Sequence, residues 1–400
     1  MLVIDGAGDG HGVGMSQTGA AGLAAHGYSA AQILTHYYTG TRLGRIAPGR
    51  SVSVLLQSVE RSAVFSGATR AGSRRLGAGA VYIARAAGPG RIELVSGHGR
   101  VLDELRAPLE VSGPTPLQLD GQAINGIANG RYRGRLEILS GARGVRVVNR
   151  VALEEYLLGV VPAESPPSWP AAELEAQAIA ARGFAATSTP QRGFALYADT
   201  RSQQYDGVAA ETPATDAAVE ATAGEVVTYD GAPVTTYYFA SSGGRTEAVQ
   251  NAFAGAAPEP YLQSVADPFD RSRFGPVRMS LRTASARLGG LVRGRLRAIV
   301  VVRRGDSPRV LSATLVGTAG TTTVDGATLA GDLHLDSTWL CFTVTGPTAR
   351  PAAGWDAACR RPAAVGAPTA ATGPTGATGP TETGTTGGAS APIAATGARR

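Results

Sequence analysis

The sequence predicts an α+β fold with a β-rich core and a few short helices. Three observations carry that prediction. From about residue 50 to 148, short β-rich runs alternate with glycine turns. Apolar residues at helical spacing occur only in limited stretches, at 15–25, 29–38, 152–158 and 171–188. Strands and helices do not alternate as βαβ units, which excludes a doubly wound nucleotide-binding sheet.

In chain order, the first two helical stretches are separated by Tyr28-Ser29, with Ser29 suited to cap the second. The β-rich runs VSVLL (52–56), AVYIARA, RIELV, RLEIL and VRVVN follow. ALEEYLL (152–158) reads as one short helix. Residues 171–188 read as a longer one, opened by Ser168 or Trp169 with Pro170 in its first turn. Its Leu174, Ala178, Ala181 and Ala185 share a face, and their small size allows close packing. EVVTYDGAPVTTYYFA (225–240) reads as a hairpin around Asp230-Gly231, with further strands at 297–303 and 310–316. No aromatic residue follows Trp355, and the run PTAATGPTGATGPTETGTTGG reads as a flexible tail.

The 400 residues suffice for a substantial core, and no run of about 18 apolar residues suggests a membrane span. All 37 basic side chains are arginine. The missing lysine excludes a P-loop and Schiff-base catalysis. The net charge of +6 is spread thinly, without the dense basic stripe and stacking aromatics of a nucleic-acid face. It would favour approach to an anionic polymer. Cys341 and Cys359, with 17 residues between them, either close a disulfide loop or remain two thiols. Met1 leads directly into LVIDGAGDGHG without a signal peptide, so either the protein is cytoplasmic or its reading frame starts upstream.

Three segments can carry chemistry. In LEEYLLGVVPAESPPSWP (153–170), Glu164 stands between two helices in a stretch stiffened by Pro162, Pro166 and Pro167. Trp169 offers an apolar wall that would raise its pKa toward that of a general acid. The alternative is a loop glutamate capping the next helix. Glu154, Glu155, Glu173 and Glu175 read as solvated helix positions. In GDGHGVGMSQTG (8–19), alternating glycines let the backbone approach a ligand or another strand closely, and His11 either transfers a proton or is a structural histidine. In YYFASSGGRT (237–246), Ser241 and Ser242 end a strand, either as sugar-binding hydroxyls or as a polar turn. The GxSxG elbow of a serine nucleophile is missing.

Together these segments resemble the SpoIID/LytB family of peptidoglycan-acting proteins. The resemblance rests on VALEEYLLGVVPAESPPSWPAAELEAQAIAARGFA (151–185), TDAAVEATAGEVVTYDGAPVTTYYFASSGGRTE (215–247), PYLQSVADPFD (260–270) and GHGVGMSQTGAAGLAAHGYSAAQILTHYYTGT (10–41). It implies a SpoIID-like core in which Glu164, the Glu of the PAE motif, is the acid of a lytic transglycosylase. The implied substrate is the peptidoglycan glycan strand, stripped of stem peptides in sporulation-type members and cleaved to a 1,6-anhydro end. The sequence offers no convincing second carboxyl for the hydrolytic alternative. The resemblance also implies that His11, Gln17, Arg182, Tyr237, Ser241 and Ser242 line the substrate groove.

No cofactor is implied. Ala198 and Gln203 of YADTRSQQYDG stand where some relatives carry metal-binding cysteines, so no zinc site is expected. An aromatic residue often precedes GHG in the family, but here it is Asp9. The GHGVGMSQ motif sits at the amino end rather than closing the domain, which implies a permuted arrangement. The expected organisation is a motif segment (1–45) packed on a catalytic core (149–345), a β-rich insertion (46–148) and a flexible tail (346–400). LytB members include an amidase enhancer, so a non-catalytic partner of a cell-wall amidase and a plain glycan-binding wall protein stand beside the enzyme. An extracytoplasmic, wall-associated location, with a Cys341–Cys359 bridge, follows from the implied substrate.

Overall fold

The computed structural model describes residues 1–114, 116–190 and 193–345. Cys359 and the expected tail lie outside the described residues. The helices that matter for the site are α1 (Gln17–Ala25), α2 (Ala30–Tyr37), α3 (Leu153–Leu158), α4 (Val161–Glu164) and α5 (Ala171–Thr187).

The first two helices start where local chemistry predicts. Ser29 caps α2 through a full capping box, accepting from the Gln32 N–H while the Gln32 side chain accepts from the Ser29 N–H. Ser16 caps α1 by accepting from the Gly19 N–H. The long helix differs from expectation. It begins after Pro170, which occupies the N-cap itself, and no side chain caps it. Proline is prearranged for a helix start and has no N–H to leave unsatisfied.

Most of the β structure lies in two large sheets, antiparallel except where the edge strand Leu196–Tyr197 runs parallel to Ser51–Glu60. One has seven strands; at its centre Gly144–Ala152 pairs with both Ser51–Glu60 and Arg135–Gly141. The other has six strands, running from Val101–Arg106 to Ala128–Tyr132. Their inward side chains share one apolar core with Leu153, Tyr156 and Leu157 of α3 and with Ala178, Ala181 and Ala185 of α5. The expected boundary at 148/149 therefore falls inside a strand. The β-rich region is continuous with the segment that follows it because one core buries side chains of both.

The α5 helix joins two cores. Ala178, Ala181 and Ala185 face the β-rich core, while Ala176, Ile179 and Ala180 pack with Val13, Met15, Leu23, Ile33, Leu34 and Tyr37 of the amino-terminal segment. A helix apolar on most of its circumference is an interior helix, and its alanines let neighbours approach on both sides. The motif segment is held on it by a second device: Met15–Ser16 pairs in parallel with Tyr238–Phe239. That approach needs glycine at position 14, where φ is +77° and a Cβ would lie 2.0 Å from the Tyr237 carbonyl oxygen.

The first strand, Leu2–Ala7, lies between Arg273–Met279 and Trp339–Val344, which contains Cys341. This sheet shares a third core with the three-stranded sheet Leu296–Arg304, Val310–Gly317 and Gly320–Asp325. The turn expected at Asp230-Gly231 is present, with positive φ at both residues, 49° and 79°, as a type I′ turn requires, but its return strand is only Ala232–Pro233 and Tyr238–Phe239 pairs with Met15–Ser16 instead.

Candidate active site

Glu164 is the last residue of α4, a single helical turn rather than the loop expected from its flanking prolines. Pro162 lies in the first turn of that helix, where its missing N–H costs nothing. The turn is closed by the Glu164 N–H donating to the Val160 carbonyl at 3.0 Å. The residue is partly exposed, yet protein atoms enclose its carboxyl.

Three segments meet this carboxyl. The backbone N–H of Gln204 donates to Glu164 Oε1 at 2.6 Å. The Gln17 side-chain amide donates to the Glu164 carbonyl at 3.1 Å and to Gln177 Oε1 on α5 at 3.4 Å. The Tyr238 hydroxyl also bonds the carboxyl. Burial raises the Glu164 pKa to about 7, against the pull of the hydrogen bonds from Gln204, Gln17 and Tyr238; the nearby charge of Asp206 adds to the rise. Tyr156 and Tyr238 are pushed well above the ordinary phenol range, chiefly by burial. They remain neutral, and no basic side chain is among the described groups that shift Glu164. The groups bonded or charge-coupled to it include Gln204, Gln17, Tyr238 and Asp206.

Gln203 fixes this wall. It is fully buried, accepts from the Tyr156 hydroxyl at 3.1 Å, and donates to the Tyr238 hydroxyl at 2.8 Å and the Ala181 carbonyl at 3.3 Å. Ala198 is buried too. Among the described residues, no three His, Cys, Asp or Glu side chains are grouped to hold a metal.

The structure brings Glu164 and Gln17 together, but it gives other expected groove residues different work. Arg182 is fully buried, so it cannot meet a substrate in a groove. It forms a bidentate pair with Glu154, with Nη2–Oε2 at 2.7 Å, and donates to the carbonyls of Val219 and Glu225. Thus it ties α5 to α3 and to the strand Glu225–Tyr229. Ser241 and Ser242 are also buried. With Ser16 and Thr18 they surround Asp270, whose Oδ2 accepts from all four residues, the Ser242 N–H included, at 2.6 to 3.2 Å. Burial raises the Asp270 pKa, but hydrogen bonds from Ser272, Thr18 and Ser241 outweigh it and hold the carboxyl below its ordinary value. This network clasps the start of α1 to the SSGG and ADPFD segments.

His11 does not serve as a proton carrier either. Its Nδ1 accepts from the Val13 N–H at 3.0 Å, and the ring also bonds the Tyr238 backbone. Burial, helped by Arg309, lowers its pKa to about 4, so it is neutral near pH 7. The ring packs against Phe239, Phe253 and Tyr237 with centroids 5.4, 5.1 and 6.1 Å away. Tyr237 is partly exposed and belongs to this aromatic group, whereas Tyr238 faces Glu164. Adjacent strand residues point to opposite sides. Asp9 pairs through its backbone with Ser241.

Glu173, expected in solvent, is fully buried and accepts from the Ser165 hydroxyl at 2.9 Å. Burial raises its pKa to about 8, so it is largely neutral at pH 7. The folded state then binds a proton that the unfolded chain releases above its ordinary value of 4.5, and stability falls as pH rises from there to about 8. Glu173→Gln should flatten that fall and leave the variant more stable than the parent above pH 8. Matching Tm-against-pH curves for the two proteins would contradict a neutral Glu173.

Residues 142–229 match the family model described as SpoIID, Stage II sporulation protein. Over these residues the chain is similar to the SpoIID family. The SpoIID match contains Glu164, Arg182, Gln203 and Gln204, while His11, Gln17, Tyr237 and Tyr238 lie outside it. Among curated relatives, the chain is 32% identical over 157 residues to Stage II sporulation protein D of Bacillus amyloliquefaciens, covering 34% of this chain and 44% of that protein. It is 38% identical over 114 residues to the Amidase enhancer of Bacillus subtilis, covering 28% of this chain and 15% of that one. An uncharacterized protein of Brachyspira hyodysenteriae is 35% identical over 150 residues, 36% and 39% of the two chains. The chain thus spans less than half the length of these relatives.

Residues that sequence reading missed are Tyr238, Gln203, Gln204 and Gln177. Tyr238 stands beside the chosen Tyr237, and strand alternation says that the two differ without saying which faces the acid. Gln203 carried a signal only as a departure from a metal-site pattern, and Gln204 carried none.

Proposed function

We propose that this site cleaves the glycan strand of peptidoglycan as a lytic transglycosylase, with Glu164 as acid and then base. The observation that carries the reading is Glu164, a partly exposed residue whose carboxyl is held by three segments and is close to half-protonated at neutral pH. Protonated Glu164 gives its proton to the glycosidic oxygen between N-acetylmuramic acid and N-acetylglucosamine as the bond to C1 breaks. The resulting carboxylate takes the proton of the C6 hydroxyl, which attacks C1 and closes the 1,6-anhydro ring. One carboxyl completes the cycle and no water is consumed. The substrate is the strand already stripped of stem peptides, and the protein works outside the cytoplasm at the wall. The amino-terminal GHGVGMSQ segment, packed on α5 beside Glu164, supports a permuted form of the family's core.

A second reading is favoured by the similarity to a protein named Amidase enhancer: a chain that binds glycan and a cell-wall amidase without cutting. Digesting peptide-stripped glycan with the purified protein tests both. Anhydro-ended fragments are the expected product. Intact strands, with faster stem-peptide release once an amidase is added, would replace the enzyme by the enhancer.

A further inference from the structure

Beside Glu164 stands a carboxylate that neither the motif nor the comparisons assign. Gln204 holds two acids at once: its backbone N–H donates to Glu164 Oε1 at 2.6 Å, and its side-chain amide donates to Asp206 Oδ1 at 2.8 Å. Asn125, in the turn between the strands Leu117–Gln122 and Ala128–Tyr132, donates to the same Asp206 Oδ1 at 3.1 Å and to the Tyr205 carbonyl at 2.8 Å. Asp206 Oδ2 accepts no hydrogen bond among the described residues, and Asp206 is partly exposed, as are Gln204 and Asn125.

We propose that Asp206 is the second functional carboxylate of this site, an anion fixed through Oδ1 by Asn125 and Gln204 and offering Oδ2 to a hydroxyl or amide N–H of the sugar held at Glu164. The proposal rests on the glycan reading above and deepens it. It also gives the β-rich region a part in the site, because Asn125 belongs to that region. An ionised carboxylate is a strong acceptor for sugar donors. Its negative charge would also favour the oxocarbenium-like transition state of glycosidic cleavage. Asp206 and Glu164 are close enough for their charges to couple, which helps keep Glu164 protonated. The titratable groups coupled to Asp206 are Glu164 on α4 and Tyr132 on the strand Ala128–Tyr132. Among the described residues it has no ion-pair partner, and burial moves its own pKa upward.

The test measures binding of peptide-stripped glycan fragments by calorimetry in a Glu164→Gln background, where nothing is cut and position 164 no longer titrates. Adding Asp206→Asn should weaken binding about tenfold or more at neutral pH, as expected for loss of a charged hydrogen-bond acceptor. The amide oxygen left by that change can still accept from Asn125 and Gln204, so the fold is retained; matching circular dichroism checks this. Binding by the Glu164→Gln chain should also weaken as pH falls through the carboxylate range, while binding by the double variant should not respond. Asp206→Glu should preserve the pH response, which a purely structural role would not explain. Equal affinity and equal pH response with and without Asp206→Asn would overturn the proposal and leave the glycan reading standing. A parent protein that neither binds nor cuts glycan would overturn both.

Discussion

Glu164→Gln is expected to reduce release of anhydro-ended fragments by about 10²- to 10⁴-fold, the usual contribution of a positioned general acid. The amide preserves shape and can still accept from the Gln204 N–H, so Tm should stay close to the parent value or rise at alkaline pH. The parent activity carries a matching signature. Because the Glu164 pKa is raised to about 7 and the acid form starts the reaction, kcat/KM should be level below that pH and fall about tenfold per pH unit above it. Measuring fragment release across the pH range checks both. A Gln variant that keeps a tenth of parent activity would remove Glu164 from the chemistry.

Arg182→Ala should be among the most destabilising substitutions in the chain, costing about 3–5 kcal/mol, as expected when one partner of a buried ion pair is removed. Arg182 is wholly buried, but 42% of the side-chain surface of its partner Glu154 remains exposed. Most of the cost therefore comes from the arginine's own contacts. The change empties a volume beside α5 and leaves the carbonyls of Val219 and Glu225 without their donor. Arg182→Lys should recover little, since an ammonium cannot reproduce a bidentate fork and two further bonds. Denaturant unfolding gives the stability. Glycan affinity per folded molecule should stay at the parent value, because Arg182 does not reach the site; a selective loss of affinity in a stable variant would return it to the groove.

Much of the fold was legible in short stretches. The α2 capping box, the Asp230-Gly231 turn and the β-rich runs from 50 to 148 depend on neighbours a few residues away, so the sequence displays them directly. The domain boundary was not legible. Whether Val145 and Val147 share a core with Leu153 and Ala181 depends on how strands over 100 residues apart close around α5. The site was legible in part. Glu164 and Gln17 belong to motifs whose resemblance is specific, and the structure brings them together. Arg182, Ser241 and Ser242 belong to the same motifs but are buried. Type alone does not tell whether a polar motif residue contacts a ligand or serves as an internal clasp; that depends on whether protein groups satisfy it. His11 follows the same logic, with both ring nitrogens engaged by the main chain.

By itself the sequence determined most of the element types and the family resemblance and singled out Glu164 as the candidate acid, since each is written in local periodicity, turn chemistry or a contiguous motif. It also set the chemical bounds: without lysine, the chain has no P-loop or Schiff-base route. The tertiary structure alone decided which polar side chains remain available. It buried Glu173 and Arg182, turned Tyr238 rather than Tyr237 toward Glu164, and folded Gln204 and Asp206 back against an acid 40 residues earlier in the chain. The physical reason is that accessibility and pKa follow from desolvation and from the donors within hydrogen-bond reach, and chain closure sets both.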